Sequence, residues 1–224
     1  MHEQIATVTP LVSSVPATGL AEYSICPKRF KFRHIDGHIG VGEGIASDAA
    51  AIGSLTHTAL EFGIHTANEL KPLADGTDDE LVAKAMRLVE NFYSAEEFLE
   101  FRGGLTEKEV RRSFELRGIR IDCIVDRAGD DYVLDYKTDR DMEPADHVVQ
   151  LWTYAKALGK RRAVIAYLAH RQKYEYSSSE LADAETKVGN AVSGLKAGRF
   201  ESTPSDKACQ YCQYGTICDE RFTK

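Results

Sequence analysis

Four of the five cysteines in this chain of 224 residues lie at its two ends. Cys26 is near the start, and Cys209, Cys212 and Cys218 fall within the last sixteen residues. One site built from all four would close almost the whole chain into a loop and couple metal loading to folding. Such a chain has to fold so that its ends meet. No apolar run approaches the roughly 20 residues that span a bilayer, and residues 1–17 lack the layout of a signal peptide. The expectation is therefore a reducing, cytoplasmic compartment, where cysteines serve as metal ligands rather than disulfides. Cys123, inside an expected strand, is the spare and suits buried packing. Spacing alone fits a zinc site of four thiolates as well as an iron–sulfur cluster, and unrelated buried cysteines are a third reading.

The apolar fraction of 43% and charged fraction of 28% suit a globular domain of this length. A net charge of −7 weighs mildly against a polyanionic partner. Its distribution weighs less, because basic residues gather at Lys28–Arg33, at Arg111–Arg120 and at Lys160–Arg162. Carboxylates clustered around a metal ion also lower net charge without preventing such binding.

Hydrophobic periodicity predicts one domain over residues 18–224, preceded by a flexible lead-in over 1–17. A short helix from Gly19 stops near Cys26-Pro27, since proline disfavours helix in the residue before it. Residues 37–47 read as a Gly-rich loop. Helices follow at 48–70 and 77–101, the second opened by a capping box from Thr77 to Glu80. The period then switches to two, predicting strands at 107–117, 119–127 and 132–138. A helix over 144–158, a strand over 163–169 with a partner through Tyr176, and a helix over 179–196 complete an α/β fold. It has a mixed central sheet flanked by helices and an extra N-terminal helical layer. The ends, 18–35 and 205–221, would form the clasp, with a helical part at 48–101 and the catalytic sheet and helix at 106–176.

Asp135-Tyr136-Lys137 places a carboxylate and an ammonium on one face of an apolar strand, a costly arrangement to bury without a purpose. Taken alone it is an ordinary ion pair. Asp122, four residues after Gly118, adds a carboxylate on the neighbouring strand. His57 and Glu61 stand one helical turn apart, and Gln150 and Tyr154 repeat that spacing with an amide and a phenol. Singly, each is weak, and a lone histidine such as His57 is more often a core or surface residue.

Their joint order resembles the RecB-like branch of the PD-(D/E)XK nuclease superfamily, over nearly the whole chain from Leu20 onward. The resemblance implies a restriction-endonuclease-like core. In it His57, Asp122, Asp135 and the main-chain carbonyl of Tyr136 would hold Mg²⁺ or Mn²⁺. Lys137 would activate water, and Gln150 and Tyr154 would support the site or the strand. Hard oxygen ligands with one imidazole suit those ions. Cys26-Pro27-Lys28-Arg29-Phe30 together with Cys209, Cys212 and Cys218 resembles the iron–sulfur members of that branch, the AddB-type domains and the fourth class of CRISPR-associated Cas proteins. This implies a [4Fe–4S] cluster on the four thiolates. The implied activity is a DNA exonuclease on single strands or duplex ends, in recombination and repair or in CRISPR adaptation, beside an integrase or helicase partner. The chain has no phosphate-binding loop of the G-x-x-x-x-G-K-[ST] type, so unwinding would come from that partner. A non-catalytic iron–sulfur scaffold that binds DNA is the alternative.

Overall fold

A computed structural model describes residues 12–40, 48–103, 105–210 and 212–222. Most of the expected lead-in and the 41–47 part of the Gly-rich loop lie outside them. What is described of the lead-in is ordered: Ser14–Pro16 forms a strand, β1, with Val12, Val15 and Ala17 buried. Two helices follow, α1 (Ala17–Ile25) and α2 (Pro27–His34). The stop before proline is where the sequence places it, but the chain restarts at once. Pro27 takes the first helical position, where its missing N–H costs nothing. Cys26 is left in extended backbone between the two helices. The pair is locked by the buried Glu22, which accepts from Arg29 Nε at 2.8 Å and lies 3.1 Å from His34 Nε2.

α3 (Asp48–Phe62) is shorter than expected because Gly63, at φ +67°, turns the chain out of the helix. Residues 67–70 form a separate turn, α4 (Ala67–Leu70), with a Thr66/Glu69 capping box. α5 (Asp79–Ser94) is capped by Asp78 rather than Thr77, its carboxylate accepting from Glu80 N at 2.7 Å. The aspartate is one residue nearer the first helical turn and carries the charge that the helix start favours. α5 ends at Ser94, where Arg102 folds back and donates to Phe92 O at 2.9 Å, and a 3-10 turn occupies Glu96–Phe101.

Among the described residues the sheet has six strands. β2 (Glu107–Leu116) and β3 (Ile119–Ala128) form a long hairpin across Arg117-Gly118, both at positive φ, as the tightest hairpin turns require. β4 (Tyr132–Lys137) turns back on β3, and α6 (Pro144–Leu158) crosses over to the parallel β5 (Arg162–Tyr167). β6 (Gln172–Glu175) closes the edge, followed by α7 (Ser178–Lys196) and the unforeseen short α8 (Asp206–Gln210). One core packs α1, α6 and α7 on one face of the sheet; a second packs α3, α4 and α5 on the other.

The sheet forks at β3. Over Arg120–Asp122 its free side pairs in parallel with β1, whereas at Arg127 and Ala128 it pairs with β4. Beyond Arg127–Leu134 the β3–β4 ladder stops. Backbone groups of β4 are thereby freed next to buried carboxylates.

Candidate functional site

The fork is where the polar residues collect. The pairs Ala128–Val133 and Arg127–Leu134 place Asp126 opposite Asp135 one step further on. With no partner on β3, Tyr136 N donates to Asp126 Oδ2 at 2.7 Å, and Tyr136 O lies 3.1 Å from His57 Nε2. The other ring nitrogen of His57 is 3.3 Å from Asp126 Oδ1. Glu109 lies between Lys108–Arg127 and Val110–Val125, which sets it opposite Asp126. His57, Glu109 and Asp126 each bring a ligand atom within 4.8 Å of the others.

Asp135 approaches from the α6 side. It is 2% exposed, and its Oδ1 accepts from Gln150 Nε2 at 3.0 Å. Gln150 Nε2 also donates to Tyr154 Oη at 2.7 Å, while its Oε1 accepts from Lys137 Nζ at 3.3 Å. Those contacts orient the amide in one sense only. Lys137 Nζ lies 2.7 Å from Asp135 Oδ2, an ion pair without hydrogen-bond alignment, so Oδ2 is a buried acceptor with no aligned donor.

Of the residues singled out in the sequence, His57, Asp135, Tyr136, Lys137, Gln150 and Tyr154 are gathered at the fork. Asp122 is not. It sits four positions back along β3, pairs with Arg120 Nε at 3.0 Å, and stands level with Ser113 and Pro16. At about 3.3 Å per residue, that is more than 10 Å from the place it was expected to fill. Asp126 occupies that place, and Glu109 joins it. Hairpin arithmetic could have found Asp126: counting back from the turn closed by Gly129 N and Tyr132 O pairs Asp135 with residue 126. Nothing in the sequence marks Glu109, whose backbone is left-handed at φ +49°.

The electrostatics describe a site short of positive charge. Burial raises the Glu109 pKa, and the Asp126 and Glu61 carboxylates add to it. Burial also raises that of Asp135, against the pull of Lys137. For His57 and Lys137 burial acts downward, but Asp126 and Asp135 respectively outweigh it, so both are raised. Tyr154, raised first by burial and then by Asp135, stays a phenol. A divalent cation would relieve this crowding. The donor set of carboxylates with one imidazole, beside the unaligned Oδ2 of Asp135, fits such an ion.

Holding Glu109 in the left-handed region costs roughly 1–3 kcal/mol, which the surrounding ladder has to overcome. Glu109→Asn should therefore raise the metal-free melting temperature by about 2–4 °C, since asparagine tolerates that backbone and carries no charge. It should also weaken Mn²⁺ binding on the order of tenfold, as loss of an outer ligand would. Calorimetry with a Mn²⁺ titration checks both; a variant that binds Mn²⁺ as tightly as the parent would remove Glu109 from the ligand set.

At the far side of α1, Cys26, Cys209, Cys212 and Cys218 all line one cavity, together with Lys28, Arg29 and Arg221. All are free thiols. Cys209 Sγ accepts from Phe222 N at 3.4 Å, and Lys28 pairs with Asp219 and with Glu220, tying α2 to the tail. Cys123 is apart from them, buried and donating to Thr153 O, its thiol pushed up to about 12 chiefly by burial.

The chain belongs to the PD-(D/E)XK nuclease superfamily, whose family model matches residues 14–219. The "Putative exonuclease" of Eubacterium rectale has a similar fold, with a TM-score of 0.65 at 15% identity over 95% of this chain and 90% of that one. A second solved structure, SSO0001, gives 0.48 at 18% identity over 99% and 93%. No curated protein matches the sequence. Among the described residues no helix is long and apolar enough to cross a membrane.

Proposed function

We propose that this protein is a Mg²⁺- or Mn²⁺-dependent deoxyribonuclease, acting as an exonuclease on single-stranded DNA or DNA ends. The observation that carries this is the meeting at the fork of His57, Asp126 and Glu109 with the buried Asp135–Lys137 pair. His57, Asp126 and Asp135 would hold the ion, with Glu109 and the Tyr136 carbonyl beside them. When bound, such an ion acidifies water and neutralises charge on the scissile phosphate. Lys137, held as an ammonium by Asp135, orients the attacking water and donates to the phosphate oxygens. Gln150 keeps Lys137 and Asp135 in register, and Tyr154 fixes Gln150. The cysteine cavity would hold a [4Fe–4S] cluster, consistent with its four thiols and cationic rim.

Lys137→Gln tests the catalytic assignment, because the amide can still bond to Asp135 without leaving it alone. Cleavage of labelled single-stranded DNA with Mn²⁺ should fall at least ~10²–10³-fold, with DNA binding retained. Undiminished cleavage would remove Lys137 from the chemistry. The label position, 5′ or 3′, also reports polarity, and EDTA should abolish turnover of the parent protein.

A further inference from the structure

One open groove adjoins the fork and is not used by the chemistry above. Lys84, Arg87, Asn91 and Ser94 line it from α5, Thr138 from the end of β4, and Arg171 from the β5–β6 turn. The four α5 residues are spaced three or four apart and so form one stripe along the helix. Thr138 is the residue after Lys137, so the groove begins where the reacting centre ends. Its far wall is pinned: Asn91 Nδ2 donates to Leu168 O at 3.0 Å, and Arg171 Nη2 donates to Ser94 Oγ at 3.2 Å. Three cations meet two carboxylates here, Glu90 in the lining and Glu80, which pairs with Lys84 at 2.7 Å, in a chain whose net charge is −7. A local excess of positive charge on an acidic protein is the footprint of a polyanion.

We propose that this groove carries one strand of the polynucleotide substrate on one side of the scissile bond, with Lys84, Arg87 and Arg171 on successive phosphates. The inference rests on the nuclease reading and names its substrate path. One strand rather than an intact duplex is chosen because Asp135 is only 2% exposed, and a strand separated from its partner is the narrower ligand. The groove lining is aliphatic and polar, with Ile52 and Leu88 and no aromatic ring, so grip comes from phosphates and not from base stacking. Binding should therefore be indifferent to sequence and sensitive to salt.

The test combines Lys84→Gln, Arg87→Gln and Arg171→Gln in the full chain, with the melting temperature recorded. Fluorescence anisotropy with a fluorescein-labelled oligothymidylate, read across a salt series, reports the groove. Hydrolysis of bis(4-nitrophenyl) phosphate with Mn²⁺ reports the centre. The triple variant should bind on the order of tenfold more weakly, and its slope of log affinity against log salt should shrink by about 2, at about 0.7 per phosphate. Restoring arginine at position 87 should recover about 0.7 of that slope, and turnover of the small diester should match the parent. An unchanged Kd and slope, or no strand binding by the parent, overturns the proposal. Tighter binding of a blunt duplex through the same residues overturns the single-strand assignment. A parent that binds through the groove yet cleaves neither substrate sinks the nuclease reading and leaves the groove standing.

Discussion

Asp126→Asn should reduce metal-dependent cleavage at least ~10³-fold, whereas Asp122→Asn should leave it within about twofold. The two aspartates lie on one strand, four residues apart, and both project on the same alternation. Only Asp126 reaches His57, at 3.3 Å, and the backbone of Tyr136. Asp122 spends its charge on Arg120 at the solvent face. The paired comparison therefore separates position from residue type. Mn²⁺ binding followed by calorimetry should fall with Asp126→Asn alone. An inactive Asp122 variant beside an active Asp126 variant would move the metal back to the base of the hairpin and undo the assignment made at the fork.

The second large effect concerns the cysteine cavity. Cys212→Ala should abolish the brown colour expected of a [4Fe–4S] protein and release the tail from α2. A cross-link that closes a loop of roughly 180 residues contributes about 5 kcal/mol through chain entropy alone. For a chain of this size that corresponds to a fall in melting temperature on the order of 10–20 °C. Anaerobic purification with iron and zinc analysis reads the occupant directly. About four irons per chain in the parent, lost in the variant together with solubility, is the expected result. One zinc per chain would keep the clasp and replace its metal. A soluble, colourless and undiminished variant would show that the tail holds without any metal.

Long periodic elements were legible from the sequence because their burial alternates with their geometry. The helix 144–158 falls where its apolar spacing and opening proline place it. The three-strand meander likewise follows from period two and its turns. What failed was register. Gly118 drew attention to the first aspartate after the turn, but register on β3 is set by the other turn, at 129–131, which pairs Asp135 with residue 126. Glu109 was hidden for a different reason. Its role depends on a left-handed backbone that no local signal demands and that only the surrounding ladder imposes. α2 was missed because proline was taken as an end, while its fixed φ makes it equally a beginning. The strand Ser14–Pro16 is three residues long, too short for a period to register, and exists because β3 offers it an open edge.

That short strand covers part of the β3 edge that the fork leaves open. Antiparallel hairpins zip until something stops them, since each further step satisfies two more backbone groups. If β3 and β4 zipped fully, Asp126 and Asp135 would become ordinary cross-strand neighbours in a flat ladder, and Tyr136 would spend its amide on the opposite strand. β1 takes the edge of β3 at Arg120–Asp122, past the reach of β4, whose last residue, Lys137, would stand level with Ile124 in a full ladder. A segment more than a hundred residues upstream of β4 thus closes the stretch of β3 that β4 is too short to cover.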